Sequence, residues 1–323
     1  MQRETILSAR FFTFLFATAI IASAILLGCS DSDRVRVDFS KKVNLSHSEK
    51  QQPGAALNVA IASMISPNET IVHYQALLEY VASKIEKKIN LVQRKTYAEV
   101  NDLLGKGGID LAFICSGPYV AGQDSYHFEA LAIPQIHQKP VYRAYLITGQ
   151  TSSVKRFEDL RGKVFAFSDP DSNAGCIVPR FLLAQQGERP QSFFGKTIFT
   201  YSHDNSILAV SRSLVDAAFV HEHIWEYYSA KNPAVTSRVR IVYTSEPYGN
   251  PPLVASAFMP EPLKHRIREL LFSMHNDRQG AEILGKLLID RFIPPDEHLY
   301  EPIRRMLAHT RLLEEGHAAT AQR

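Results

Sequence analysis

From residue 57 onward, short apolar runs alternate with polar loops and with longer segments whose apolar residues recur at helical spacing. The first run, LNVAIA at 57–62, predicts a strand. Beyond the loop at 63–68, Val72, Leu77, Leu78, Val81 and Ile85 fall on one face of a helix. A second strand is predicted at 89–94. It is followed by Thr96-Tyr97-Ala98-Glu99, whose Thr and Glu have capping-box spacing, so a short helix should run to Leu104 and stop at Gly105, Gly107 and Gly108. Residues 110–114 (DLAFI) predict a third, buried strand opening into Cys115-Ser116-Gly117-Pro118-Tyr119. This order is that of an α/β layer with a mostly parallel sheet, in which ligands collect at the carboxyl ends of the strands.

Extended runs at 128–133 and 141–148 come next, then VFAF at 164–167, the polar turn Ser168-Asp169-Pro170-Asp171-Ser172-Asn173-Ala174-Gly175-Cys176, and an apolar helical segment. Free N–H groups and the dipole at such a helix start, with Ser172 and Asn173 beside them, can hold an oxyanion. An ordinary capped helix has the same local pattern. The device recurs. A strand at 197–201 ends in Ser202-His203-Asp204-Asn205 before a helix at 206–213, and one at 216–220 ends in His221-Glu222-His223 before Ile224-Trp225-Glu226. A strand at 239–244 leads to the loop 245–252, and the run 253–258 reads as a strand returning to the first lobe. Helices then follow at 263–274, 281–288 and 299–313, without concentrated acids, His or Cys.

At 323 residues the chain exceeds one typical core. We expect a discontinuous first lobe, 55–147 plus 252–305, a second lobe, 148–251, and a C-terminal helix and tail, 306–323. The net charge of +3 is small and Lys and Arg are scattered, which argues against nucleic acid. At the start, Arg3 and Arg10 precede an apolar run ending in Leu26-Leu27-Gly28-Cys29, the pattern of a bacterial lipoprotein signal at 1–28. Cleavage would leave 323 − 28 = 295 residues with Cys29 lipidated, anchored to a membrane in the cell envelope and facing the periplasm. An uncleaved membrane anchor is the competing reading. The polar stretch 29–54 reads as a flexible tether. Cys115 and Cys176 show no framework spacing and are expected to be free thiols.

No GxSxG, HExxH, paired CxxC or P-loop pattern is present. Ser202-His203-Asp204 are adjacent, whereas triad members converge from separate parts of a fold. His221 and His223 could offer two metal ligands on one face of a strand end, but no second cluster at ligand spacing accompanies them, so neither a metal nor a cofactor is expected. Donors at strand ends without a nucleophile and base pair suit binding rather than turnover, with no catalytic residue.

These stretches resemble the periplasmic phosphate/phosphite/phosphonate-binding proteins of ABC importers, which have the type II periplasmic-binding-protein fold. The likeness runs from Leu57 to about Arg304 and rests on LNVAIAS, IDLAF, FEDLRGKVFAFSDPDSNAG with VPR, the SHDNS turn, VDAAFV with WEYY, and IDRFIPPDEHLY. The resemblance implies a two-lobed α/β protein with a small oxyanion in the interlobe cleft, an ABC permease as partner and a monomeric state. It assigns the oxyanion to Ser172, Asn173, Ala174 and Gly175, to His203, and to Ser63, with Ser116 closing from the first lobe. Asn173 and Ala174 replace two hydroxyl residues of the family pattern, and Ala174 has no side-chain donor. Aminophosphonate binders are expected to carry acids where this chain has His223 and Pro251, and an aromatic at Ile114. Without those acids, His221 and His223 would favour a compact or further anionic group if they face inward. Tyr74, Tyr119 and Tyr142 are further wall residues. A sensory receptor would use the same cleft.

Overall fold

A computed structural model describes residues 56–62, 64 and 67–321; the signal and tether, with Cys29 and Ser63, lie outside the described residues. In chain order the strands are β1 (Leu57–Ile61), β2 (Ile89–Val92), β3 (Leu111–Phe113), β4 (Glu129–Gln135), β5 (Val141–Gly149), β6 (Val164–Phe167), β7 (Lys196–Phe199), β8 (Ala217–His221), β9 (Val239–Gly249), β10 (Leu253–Ala255) and β11 (Arg291–Ile293). The longer helices are α1 (Pro67–Ile85), α2 (Tyr97–Gly105), α3 (Ser116–Tyr126), α4 (Val178–Ala184), α5 (His203–Ser211), α6 (Glu222–Lys231), α7 (Glu261–Ser273), α8 (Arg278–Lys286) and α9 (Glu301–Ala321). The capping box expected at α2 is formed, with Thr96 Oγ1 accepting from Glu99 N and the Glu99 carboxylate accepting from Thr96 N.

The strands form two sheets, of order β11-β4-β10-β3-β1-β2 and β7-β6-β8-β5-β9. Each has two parallel pairs: β1 runs parallel to β2 and β3, and β6 runs parallel to β7 and β8. The strands that arrive from the other sheet, β5 and β10, enter antiparallel to their neighbours. This is fewer parallel pairs than the sequence pattern predicts. A strand delivered by a short crossing has no helix to reverse its direction, and antiparallel entry is what such a connection permits.

The crossings also shift one boundary. Val141–Gly149 pairs only with β8 and β9, with Leu146 opposite Phe219, so the passage between sheets falls at 136–140 and not at 147–148 as expected. The chain returns at 250–252, beside the outward crossing. Asn250 joins the two: its N–H donates to Pro140 O at 2.9 Å, its side-chain amide donates to Pro134 O at 2.9 Å, and its own carbonyl accepts from Tyr300 Oη at 2.8 Å. The last helix begins at Glu301, where the expected C-terminal segment began at 306.

One apolar cluster runs through both halves, joining Ile114, Tyr119 and Phe128 to Phe157, Phe165, Phe193 and Phe219; Phe157 stacks on Phe193 at 5.6 Å and Phe165 on Phe194 at 4.5 Å. The contact between halves is tightest where α3 meets the loop after β6. A Cβ on Gly117 would lie 2.2 Å from Asp171 O and 2.9 Å from Asn173 N. Gly117→Ala is therefore expected to lower stability by roughly 1–3 kcal/mol, as overpacked sites do, whereas Gly285→Ala, with nothing within 4 Å, should not. Thermal melts of the two variants check this, and an unchanged melting temperature for Gly117→Ala would show that the approach is not close.

Candidate functional site

The loop after β6 is built from its own hydrogen bonds. Ser172 Oγ accepts from Gly175 N at 3.1 Å, and Ser172 O accepts from Cys176 N and Ile177 N at 2.9 Å each, which closes a π-turn over Asn173–Ile177 ahead of α4. Gly175 is required by space, since a Cβ there would meet Ser168 Oγ at 1.9 Å. The Gly175 N–H is thus spent within the turn, and Ala174, fully enclosed, adds no side-chain bond. Asn173 donates through Nδ2 to Tyr142 Oη at 2.8 Å, and its Oδ1 has no partner. Asp169 accepts from Asp171 N at 2.9 Å and, across the interface, from Tyr97 N at 3.1 Å, the first residue of α2. Burial pushes its carboxyl up to about 6 against the pull of those two N–H groups.

The facing wall comes from the end of β3 and the start of α3. The backbone N–H groups of Asn173, Gly117 and Ser116 all point at the Cys115 thiol, so both halves offer donors to one point; burial nevertheless pushes that thiol up to about 11. Ser116 Oγ is committed to Gly249 O at 2.6 Å. The Tyr97 phenol is fully enclosed near Cys115, Asp169 and Tyr142, and its Oη lacks a well-formed hydrogen bond. Cys115 and Cys176 are both buried, and neither is in a disulfide.

The imidazoles complete the site. His203 is the first residue of α5, capped by Ser202, and its N–H donates to Met64 O of the other half at 2.9 Å. His221 ends β8 and lies flat on Tyr142, with ring centroids 3.7 Å apart at 11°. Among the described residues, neither His203 nor His221 has a partner on either ring nitrogen. Burial brings His203 down to about 4, and burial, then His223 and His203, holds His221 well below the usual imidazole value. Both rings are therefore neutral imidazoles, each with one donor and one acceptor nitrogen. His223 follows on α6, its ring 5.5 Å from that of His221, with Nε2 buried and unpartnered.

Beside the imidazoles is a cavity of about 110 Å³. Its lining is apolar, including Ile61, Met64, Tyr74, Phe113, Ile136 and Ile289, with His221 and His223 at one side and no carboxylate. Tyr74 lines this cavity. Tyr119 is elsewhere: its ring packs on Tyr300 at 4.7 Å and its hydroxyl donates to Glu297. The residues brought together are Tyr142, Ser172, Asn173, His203 and His221, joined by His223 at the edge. Sequence reasoning missed Tyr97, Cys115, Ser168 and Asp169. Only the position of Cys115 and Ser168 directly after strands could have drawn attention to them.

The sequence pattern of the family described as "ABC transporter, phosphonate, periplasmic substrate-binding protein" matches residues 59–300. The phosphate-import protein PhnD of Mycolicibacterium smegmatis is 27% identical over 218 residues, covering 63% of this chain and 62% of that protein. The phosphonates-binding periplasmic protein of Escherichia coli is 21% identical over 273 residues, covering 83% of this chain and 80% of that one. A crystal structure of the binding-protein component of an ABC phosphonate transporter from Pseudomonas aeruginosa superposes with a TM-score of 0.77 at 20% identity, over 81% of this chain and 88% of that one, and shows the same fold. Because the family pattern covers both sheets and every loop that meets at the site, the chain belongs to the family of periplasmic substrate-binding proteins of phosphonate ABC transporters.

Proposed function

We propose that this chain is the receptor of an ABC importer and holds, without turnover, a phosphonate-like oxyanion bearing a small apolar substituent. One observation carries the reading. Among the described residues, seven enclosed polar atoms have no protein partner, namely Ser168 Oγ, Asn173 Oδ1, both ring nitrogens of His203 and of His221, and His223 Nε2, and Tyr97 Oη of the facing half has only a poorly formed contact with Ser172. Each such orphan costs about 1–3 kcal/mol. A ligand with several oxygens on one centre satisfies several of them at once, which an organic cation or a hydrocarbon does not. Cys29 is the proposed lipid anchor, the periplasm the compartment, a single chain the functional unit and a permease the partner that accepts the loaded form.

The cavity next to the imidazoles supplies the rest of the specificity. An ammonium group placed there would lose its water and find no carboxylate, at a cost of several kcal/mol. Each buried methylene, by contrast, gains about 0.8 kcal/mol. In calorimetric titrations with phosphate, phosphite, methyl-, ethyl- and 2-aminoethylphosphonate, ethylphosphonate should bind about tenfold or more tighter than its amino analogue. The ligand should be recovered chemically unchanged. Tightest binding of the amino compound would overturn the apolar assignment, and no binding of any oxyanion would overturn the proposal itself.

A hydrogen bond to a charged group contributes about 1.5–3 kcal/mol. His203→Ala is accordingly expected to weaken the preferred oxyanion by roughly 10- to 150-fold, with unchanged affinity removing His203 from the site. The same residue also leaves a mark on stability. Its folded pKa of about 4 lies below the unfolded value of 6.5, so the unfolded chain binds more protons between these limits, and stability is lost as pH falls through that window. The loss reaches roughly 3 kcal/mol. Asp169 and Asp171, raised by burial, act in the opposite sense in both wild type and variant. The difference between wild type and His203→Gln therefore isolates the imidazole. Denaturant melts of the ligand-free proteins from pH 7 to pH 4 should show the shallower decline in His203→Gln, and parallel curves would refute a buried neutral ring.

A further inference from the structure

We infer that His137, His223 and Glu226 form a binding site for a zinc-like divalent cation at the edge of the cleft. His223 and Glu226 stand one helical turn apart on α6 and so share a face, and Glu226 Oε2 lies 3.4 Å from His223 Nδ1. His137 arrives from the crossing after β4, placing its Nε2 3.0 Å from the same carboxylate oxygen. One ligand atom from each of the three residues lies within 4.8 Å of the others. A tetrahedral ion with bonds of roughly 2.0–2.1 Å sets its ligand atoms about 3.3 Å apart, a spacing that the two edges meeting at Glu226 Oε2, 3.0 and 3.4 Å, already bracket.

The donor set selects the class of ion. Two imidazoles and one carboxylate suit zinc and its borderline neighbours, and leave a fourth position for water or a ligand oxygen; calcium and magnesium prefer oxygen donors throughout. Electrostatics points the same way. Among the described residues the ion-pair partners of Glu226 are His137 and His223, with neither lysine nor arginine within 4.0 Å. Without an ion, the same geometry lets both rings donate an N–H to Glu226 Oε2, and the metal titration separates the two arrangements.

The placement gives the site a consequence. His137 sits in the crossing between the sheets, held there in a left-handed turn (φ 49°) by the Ile136 and Lys139 bridge and by Gln138 N donating to Asp290 at 2.6 Å. His223 and Glu226 belong to the helix after β8. A bound ion therefore fastens the crossing to the five-stranded half next to the cavity that His223 lines.

The test uses the untagged chain, titrated with Zn²⁺ by calorimetry and with Co²⁺ by visible absorption at pH 8, in buffer without phosphate. One saturable site and the intense absorption of four-coordinate Co²⁺ are expected. His137→Ala and Glu226→Gln should each weaken Zn²⁺ by about tenfold or more, while His298→Ala, on an exposed turn, leaves it unchanged. His137 and Glu226 reach solvent, so circular dichroism should show both variants folded. Absence of saturable Zn²⁺ binding, or equal affinity in wild type and both variants, would overturn the site whatever the oxyanion titrations show.

Discussion

Polar groups enclosed between two sheets must be paired or they destabilise the fold, and that constraint organises this protein. The polar atoms where the halves meet divide into two sets. One is spent on structure: Ser116 on Gly249, Asn173 on Tyr142, Ser172 on Gly175, and Asp169 on Tyr97 across the interface. These bonds fix the turn and bring the halves together. The other set, chiefly His203 and His221, is enclosed by packing yet, among the described residues, left without partners. A site that is ordered but unsatisfied is preorganised for a ligand, because binding then removes a cost already present in the free protein.

The double crossing makes this arrangement compatible with motion. Two chain segments, 136–140 and 250–252, pass side by side between the sheets, and Asn250 bonds to the first of them at both its backbone and its side chain. A pair of tied strands resists shear but yields to bending, the behaviour of a hinge. Among the described residues, the backbone bonds across the interface away from the crossing, such as His203 N to Met64 O, are single contacts. They can break on opening without unfolding either half, whereas the aromatic cluster that spans both halves keeps the two from separating.

Much of this was legible in the sequence, for reasons that differ by element. The strand, polar turn and helix pattern at 164–183 announced itself because period-2 and period-3.6 patterning are local, and the capping box at Thr96 and Glu99 is a contact within four residues. The sheet to which Val141–Gly149 belongs was not legible, since an apolar run specifies a strand but not its neighbours. His203 and His221 were visible as residues that follow strands; their neutrality was not, because it comes from burial by segments far away in the chain. His137 could not have been joined to His223 by spacing at all, for only the fold brings a turn after β4 against α6.

The mixture of donors and acceptors in the unpaired set narrows the chemistry further than charge does. Neutral imidazoles each present an acceptor nitrogen as well as an N–H, and Asn173 Oδ1 is a pure acceptor. A fully deprotonated oxyanion such as sulfate offers acceptors alone and would leave these atoms unpaired, at about 1–3 kcal/mol each. A phosphonate or phosphate that still carries one proton offers an O–H as well. It can accept from the imidazole N–H groups and the Tyr97 hydroxyl while donating to Asn173 or to an unprotonated ring nitrogen. If the proposed site holds the ligand, the same burial that keeps these histidines neutral would make it a reader of the ligand's proton, and discrimination between oxyanions of similar size would follow from hydrogen-bond parity rather than from charge.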